Sequence, residues 1–250
     1  MTQQVLVHRG AEVLAAAAAA RLITRIADAQ AARGSASVVL TGGRTGIGVL
    51  EQVRRSPALD AVDWSAVDVY WGDERFLPSG DPERNETQAR QALLDHVELD
   101  PNRVHPMAPS DGKFGQDADA AAAHYAEVLA ATAAAETDIA VPHFDVLMLG
   151  VGEEGHTASL FPETPYVAEE SKTVVGVHDC PKPPPTRISL TLPAIRAASE
   201  VWLMTTGKAK AEPIAAALGG AKPVDIPAAG ATGRERTLWL LDTDAASDLP

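Results

Sequence analysis

Short apolar runs alternate with longer stretches of helical periodicity along the 250-residue chain. This alternation predicts an α/β protein whose sheet is largely parallel. Several of the runs are apolar nearly throughout, as is typical of strands that are covered on both faces. The predicted strands are residues 4–8, 37–41, 67–71, 144–150, 173–177, 200–205 and 237–242, and the predicted helices are residues 12–33, 48–56, 86–94, 117–134 and 209–218.

The arrangement of these elements indicates a single domain. No repeat of solenoid length is visible, and the irregular segment 179–185, with the sequence DCPKPPP, is expected to be extended rather than to link two units. We expect residues 1–250 to form a single-domain, Rossmann-like three-layer sandwich, in which helices flank a largely parallel central sheet. Pro213 indicates that the last helix is kinked or begins after residue 209.

Composition and charge narrow the range of partners. The formal net charge is −13, which argues against nucleic acid and against anionic membranes, because phosphate surfaces require basic patches. One cysteine, Cys180, excludes an internal disulfide and a multi-cysteine zinc site. No apolar run is long enough to cross a bilayer, and no signal region precedes the first strand. We therefore expect a cytoplasmic protein, a monomer, that binds a small molecule.

The fourth predicted strand ends in a glycine-rich loop with the pattern G-x-G-x-x-G. Gly150, Gly152 and Gly155 match the dinucleotide fingerprint, which would indicate a nicotinamide or flavin site if a regular helix followed. Pro162 disfavours that helix. In the alternative interpretation the same glycines turn the chain tightly at the carboxyl end of a strand, where open α/β sheets bind their ligands.

A histidine follows this loop directly. His156 would project into the crevice beside Glu154, and a neighbouring carboxylate can orient an imidazole and make it more basic, as a general base requires. The ordinary alternative is a histidine that caps a short helix over residues 157–161. The seven histidines are scattered and form no H-x-x-x-H pair, so no metal is expected.

Polar side chains also follow the other predicted strands. Glycines before a helix expose backbone amides that bind anions, and cations that converge in so acidic a chain would suit a phosphate. Flexible turns and surface salt bridges are the ordinary alternatives at each position. The candidates are Gly42, Gly43, Arg44 and Thr45 after the second strand, Asp73 and Arg75 after the third, Lys208 after the sixth, and Arg187.

Four motifs carry a resemblance to a known family. They are GGRT at residues 42–45, WGDER at residues 71–75 with Asn85 downstream, GVGEEGHTASLFP at residues 150–162, and TGK at residues 206–208. Together they resemble the 6-phosphogluconolactonases, within the larger glucosamine-6-phosphate isomerase/lactonase group, over nearly the whole chain. The resemblance implies hydrolysis of 6-phospho-D-glucono-1,5-lactone in the oxidative pentose phosphate pathway, without an organic cofactor. Two positions depart from the family pattern: Gly46 stands where proline is common, and Glu154 stands where aspartate is usual.

These residues suggest a mechanism in which His156 is the general base on water and Glu154 orients it. Amides of the loop 150–155, or a nearby cation, would stabilise the developing oxyanion. Arg44, Arg75, Arg187 and Lys208 are the candidates to hold the phosphate, and Asp73 would contact the sugar. A sugar-phosphate isomerase or deaminase on the same scaffold, with Asp73 as proton carrier, remains an alternative. A non-catalytic sugar-phosphate-binding protein and a dehydrogenase are more distant ones.

Overall fold

The computed structural model describes residues 2–134 and 139–250. The strands are β1 Thr2–His8, β2 Ala36–Leu40, β3 Val67–Trp71, β4 Asp73–Arg75, β5 Val146–Gly150, β6 Val174–Val177, β7 Arg187–Leu190, β8 Glu200–Thr205 and β9 Arg236–Asp242. The helices are α1 Ala11–Arg33, α2 Gly43–Arg55, α3 Asn85–Ala92, α4 Ala118–Ala131, α5 Leu192–Arg196 and α6 Ala211–Leu218.

The central sheet has six parallel strands in the order β1-β9-β8-β5-β2-β3. Strands β2 and β8 are buried along their whole length, because helices cover the sheet. The predicted α/β fold with a largely parallel sheet is therefore confirmed. The connection from β2 leads to its neighbour β3 on one side, whereas β5, β8 and β9 extend the sheet on the other. The strand order thus reverses between β2 and β5, which is where sheets of this kind bind ligands.

A second, antiparallel sheet of three strands, in the order β4-β7-β6, adds to the central one. The predicted strand 173–177 belongs to this small sheet, as β6, and not to the central sheet. Strands β4 and β7 were not predicted, because β4 is three polar residues long and β7 follows a run of prolines. Their pairing sets Arg75 opposite Arg187 and Asp73 opposite Ser189, so the small sheet brings candidate site residues together.

Two helices begin more than one residue away from the predicted start. Helix α2 begins at Gly43, five residues before the predicted start, so that Arg44 and Thr45 lie in its first turn instead of in a loop. A side chain at Gly46 would lie 2.5 Å from the carbonyl oxygen of Thr41, so this glycine lets α2 pack closely against the end of β2. Helix α6 begins at Ala211 with Pro213 in its first turn, where a missing amide costs little. The later start that Pro213 indicated is confirmed.

The loop after β5 is not followed by a regular helix. Residues 157–160 form a tight turn with an isolated bridge between Thr157 and Leu160. The predicted short helix over residues 157–161, which belonged to the capping alternative for His156, is therefore absent from this part of the described chain. Among the described helices, none combines the length and the apolar character that a bilayer span requires.

Candidate active site

A small cavity lies at the carboxyl ends of β2 and β5, where the strand order reverses. Its volume is about 160 Å³. It brings together eight of the residues that the sequence predicted for a site, and adds four others. The lining residues are Thr41, Gly42, Gly43, Asp73, Arg75, Asn85, Gly150, Val151, Gly152, His156, Ala158 and Arg187.

The glycine loop after β5 is built around the imidazole of His156. The amide of Gly152 donates a hydrogen bond of 2.9 Å to the carbonyl oxygen of His156, and the Thr157 hydroxyl donates one of 2.9 Å to the carbonyl oxygen of Gly150. A Cβ atom at Gly152 would lie 2.0 Å from the imidazole, so only glycine leaves room for the ring. Gly155 has a φ of +80°, which favours glycine. The dinucleotide match thus has a different cause: Gly152 makes space for a histidine, and Gly155 adopts a left-handed backbone conformation.

His156 is largely buried, with 17% of its side chain exposed. Its ring stacks on Phe161 at a centroid distance of 4.4 Å. Nδ1 lies 3.1 Å from Oε2 of Glu154. The two atoms are close but are not aligned as a hydrogen bond, since Nδ1 has no hydrogen-bond partner in the described part of the chain. Burial lowers the pKa of His156 below its usual value, although Glu154 opposes that effect. The imidazole is therefore mostly neutral at pH 7 and can accept a proton.

Glu154 contacts His156, although the family resemblance implies the shorter aspartate at this position. Its Oε2 also accepts a hydrogen bond of 2.8 Å from Nζ of Lys182. Partial burial raises the pKa of Glu154, but the hydrogen bond from Lys182 and the nearby His156 outweigh it and hold that pKa at about 2. The carboxylate is thus ionised. Lys182 was missed in the sequence, because nothing in a proline-rich segment indicates which way a lysine points.

Asp73 is buried at the start of β4. Its Oδ2 accepts a hydrogen bond of 2.7 Å from the Ser159 hydroxyl, and its backbone carbonyl accepts one of 2.9 Å from Nδ2 of Asn85. Ser159 therefore serves to position Asp73, which agrees with the absence of a nucleophile elbow around this serine. Oδ1 of Asn85 is buried without a partner among the described residues, and a side chain at Gly42 would collide with it.

The four candidate cations occupy two kinds of position. Arg75 and Arg187 line the cavity, whereas Arg44 and Lys208 are exposed and lie outside its lining. The segments that carry the two exposed cations touch each other, since the hydroxyls of Thr45 and Thr206 lie 3.4 Å apart.

Arg187 has most of its donors engaged. Nε and Nη2 donate to the carbonyl oxygens of Pro184 and Pro183 at 3.2 and 3.1 Å. Nη1 faces Oδ2 of Asp73 at 4.0 Å. Arg187 therefore anchors the segment 179–185 and has one edge directed at the site. Arg75 donates through Nη1 to the carbonyl oxygen of Glu83.

Glu74, between two site residues, has a structural role. It is fully buried and accepts hydrogen bonds from the amides of Arg75, Asn85 and Glu86 at 2.8, 2.6 and 2.9 Å. A carboxylate at the first amides of α3 stabilises the amino end of that helix, and so holds Asn85 against the cavity. Burial raises the pKa of Glu74 to about 7, against the lowering effects of Arg84 and these amides.

Within residues 2–134 and 139–250, no group of three or more His, Cys, Asp or Glu side chains is arranged to hold a metal ion.

Comparison with known proteins identifies the family. The chain belongs to the glucosamine-6-phosphate isomerase/6-phosphogluconolactonase family, whose model matches residues 9–239. It is 66% identical over 249 residues to a protein of Streptomyces coelicolor named 6-phosphogluconolactonase, covering 100% of this chain and 95% of that protein. It is 54% identical over 250 residues to the protein of that name from Mycobacterium tuberculosis, with both chains covered completely.

A solved structure resembles this one over the same extent. The structure of 6-phosphogluconolactonase from Trypanosoma brucei superposes with a TM-score of 0.86 at 26% identity, and covers 100% of this chain and 99% of that one. The family resemblance that the sequence motifs carry is thereby confirmed.

Proposed function

We propose that this protein hydrolyses 6-phospho-D-glucono-1,5-lactone to 6-phospho-D-gluconate in the oxidative pentose phosphate pathway, with His156 as the general base. One observation supports the catalytic assignment above the others. The imidazole of His156 lines a cavity at the reversal of strand order, and Oε2 of Glu154 lies 3.1 Å from its Nδ1. The full-length relatives named 6-phosphogluconolactonase support the choice of substrate.

The reaction needs one proton acceptor that later becomes a donor. With Nδ1 directed at Glu154, Nε2 of His156 is the nitrogen that takes a proton from water as the water oxygen attacks the lactone carbonyl carbon. The tetrahedral intermediate then collapses, and the bond from that carbon to the ring oxygen breaks. The imidazolium returns its proton to this ring oxygen, and the ring opens to the acid. Glu154 stabilises the imidazolium between the two steps.

The phosphate would bind at the start of α2. This helix begins at Gly43 after Gly42, and no side chain among the described residues caps it, so the first amides of the helix are available to an anion. Arg44 and Lys208 lie on the two touching segments beside this helix end, and Arg75 lines the cavity. Arg187 and Asp73 would contact the sugar end of the substrate.

We also propose that the protein acts as a cytoplasmic monomer without a cofactor.

The proposed activity is tested by following ring opening directly. The lactone is generated in situ and observed by NMR with the protein, without it, and with a His156→Gln variant. We expect the wild-type protein to accelerate ring opening and the variant to be slower by about 10²–10⁴-fold, the usual contribution of general acid–base catalysis.

A parallel assay addresses the isomerase or deaminase alternative, in which Asp73 would carry the proton. Glucosamine 6-phosphate is supplied and ammonia release is measured. Ammonia without lactone hydrolysis would favour that alternative. Ring opening at the spontaneous rate would contradict the lactonase assignment, and an unimpaired His156→Gln variant would contradict the role of His156.

A further inference from the structure

Lys182 contacts the carboxylate behind His156. Its Nζ lies 2.8 Å from Oε2 of Glu154, and the same oxygen lies 3.1 Å from Nδ1 of His156. One carboxylate oxygen is thus shared by a cation and an imidazole. The proposed mechanism gives Lys182 no part, although only the Glu154 carboxylate separates its charge from the imidazole of His156.

An exposed lysine that meets a glutamate usually contributes little, because both long side chains lose freedom and the pair is screened by water. Here the backbone around Lys182 is fixed. Arg187 donates to the carbonyl oxygens of Pro183 and Pro184 at 3.1 and 3.2 Å, and the amide of Cys180 donates to the carbonyl oxygen of Pro185 at 2.9 Å. The segment 179–185 therefore presents Lys182 to Glu154 from a defined position.

Three charged side chains act on His156 from three parts of the chain. Glu154 comes from its own loop, Lys182 from the segment 179–185, and Asp73 from β4. The guanidinium carbon of Arg187 lies 5.9 Å from the centre of the Phe161 ring on which His156 stacks. Within this group, Lys182 is the cation that contacts Glu154 directly.

We propose that Lys182 is a positioning residue for His156 and acts through the Glu154 carboxylate that both side chains contact. The proposal rests on the proposed function, in which His156 is the general base. Lys182 fixes the orientation of the carboxylate and withdraws part of its negative charge from the imidazole. Both effects keep His156 in the neutral form that accepts a proton, while Glu154 still stabilises the imidazolium once it forms.

The test removes the charge of Lys182 and observes His156 itself. In Lys182→Met, the pKa of His156 is measured from its ring-proton NMR signal, assigned by the loss of that signal in His156→Gln. We expect this pKa to rise above that of the wild type, because Glu154 then acts on the imidazole without a competing cation. Lys182→Arg should restore the wild-type titration. Lys182→Gln repeats the measurement if the methionine disturbs folding.

A matched control exists on the same loop. Lys210 pairs with Glu153 at 3.2 Å, one residue before Glu154, so Lys210→Met removes an equivalent surface pair without touching the shared carboxylate. We expect its His156 titration to match the wild type.

Kinetics provide the second measurement. For Lys182→Met, the ratio of kcat/KM at about pH 6 to that at about pH 7.5 should fall roughly three- to tenfold, with the change in kcat rather than in KM.

The outcomes separate this inference from the proposed function. A His156 titration that does not move in the charge-removing variants overturns the role of Lys182, even if lactone hydrolysis is fully active. An equal shift in Lys210→Met also overturns it, because the effect would then be one of general surface charge. In a third outcome, the pKa of His156 shifts only in the Lys182 variants, but the protein does not accelerate lactone opening. This result supports the effect of Lys182 on His156 and contradicts the proposed function instead.

Discussion

At the scale of single residues, the site depends on space as much as on charge. Gly152 lies so close to His156 that a methyl group there would approach the imidazole to 2.0 Å and Oε2 of Glu154 to 2.9 Å. We therefore expect Gly152→Ala to displace His156 from Glu154 and to lower kcat/KM for the lactone by about 10²-fold, as misplacement of a catalytic group by about 1 Å does. Steady-state kinetics on the purified variant measure this.

Gly48→Ala is the matched control for Gly152→Ala. Gly48 lies within α2, where an added Cβ meets only the Cβ of Ala15 at 3.8 Å. Alanine favours a helix over glycine by about 1 kcal/mol, so this variant should remain fully active and be slightly more stable. A Gly152→Ala variant with wild-type kinetics would show that the loop moves aside without cost, against the close fit described here.

At the scale of elements, Arg187 links β7 to the segment 179–185. The guanidinium holds the carbonyl oxygens of Pro183 and Pro184 through two nitrogens, an arrangement that lysine cannot reproduce. We expect Arg187→Lys to loosen the segment. Cys180, the one cysteine of the chain and half-buried, should then react roughly tenfold faster with a thiol reagent such as DTNB.

Arg196→Lys is the corresponding control, since Arg196 donates through Nε to the carbonyl oxygen of Gly230 at 2.9 Å in another part of the protein. Its thiol reactivity should equal that of the wild type. Equal reactivity in Arg187→Lys would instead mean that the proline-rich backbone keeps its shape without the guanidinium.

The elements also show where sequence reasoning stops. Most strands of the central sheet are apolar and flanked by helices, so the local pattern was enough to predict the six strands. Strands β4 and β7 are short, and β4 is a strand only because β7 pairs with it across more than a hundred residues of sequence. Lys182 escaped prediction for the same reason: its contact with Glu154 depends on the path of a loop that Arg187 holds.

At the scale of the whole molecule, the topology explains why the main site residues could be predicted. Parallel strands end at one edge of the sheet, so loops that are distant in sequence meet there. The cavity combines Gly42 after β2 with Gly150 at the end of β5. Topology could not predict which cations are held by other groups and which are available to a ligand, because this depends on the partners of each side chain. Arg187 is partly engaged by backbone carbonyls, whereas Arg44 and Lys208 remain exposed.

The stability of the molecule should carry a pH dependence from Glu74. Its pKa is raised from 4.5 to about 7 in the folded protein, chiefly by burial. Between these values the folded state holds a proton that the unfolded state has lost. The contribution of Glu74 to stability is thus fully present below about pH 4.5 and is lost as the pH rises through 7.

Glu74→Gln tests this directly, because glutamine cannot ionise. Urea denaturation at about pH 5, 6, 7 and 8 gives the free energy of unfolding of both proteins. We expect the difference, wild type minus variant, to fall by about 1–3 kcal/mol across this range. Glu83→Gln, at an exposed glutamate, provides the baseline for the loss of one carboxylate from a chain of net charge −13. A constant difference would mean that the three amides and Arg84 keep Glu74 ionised throughout, and that the amino end of α3 rests on a permanent buried charge.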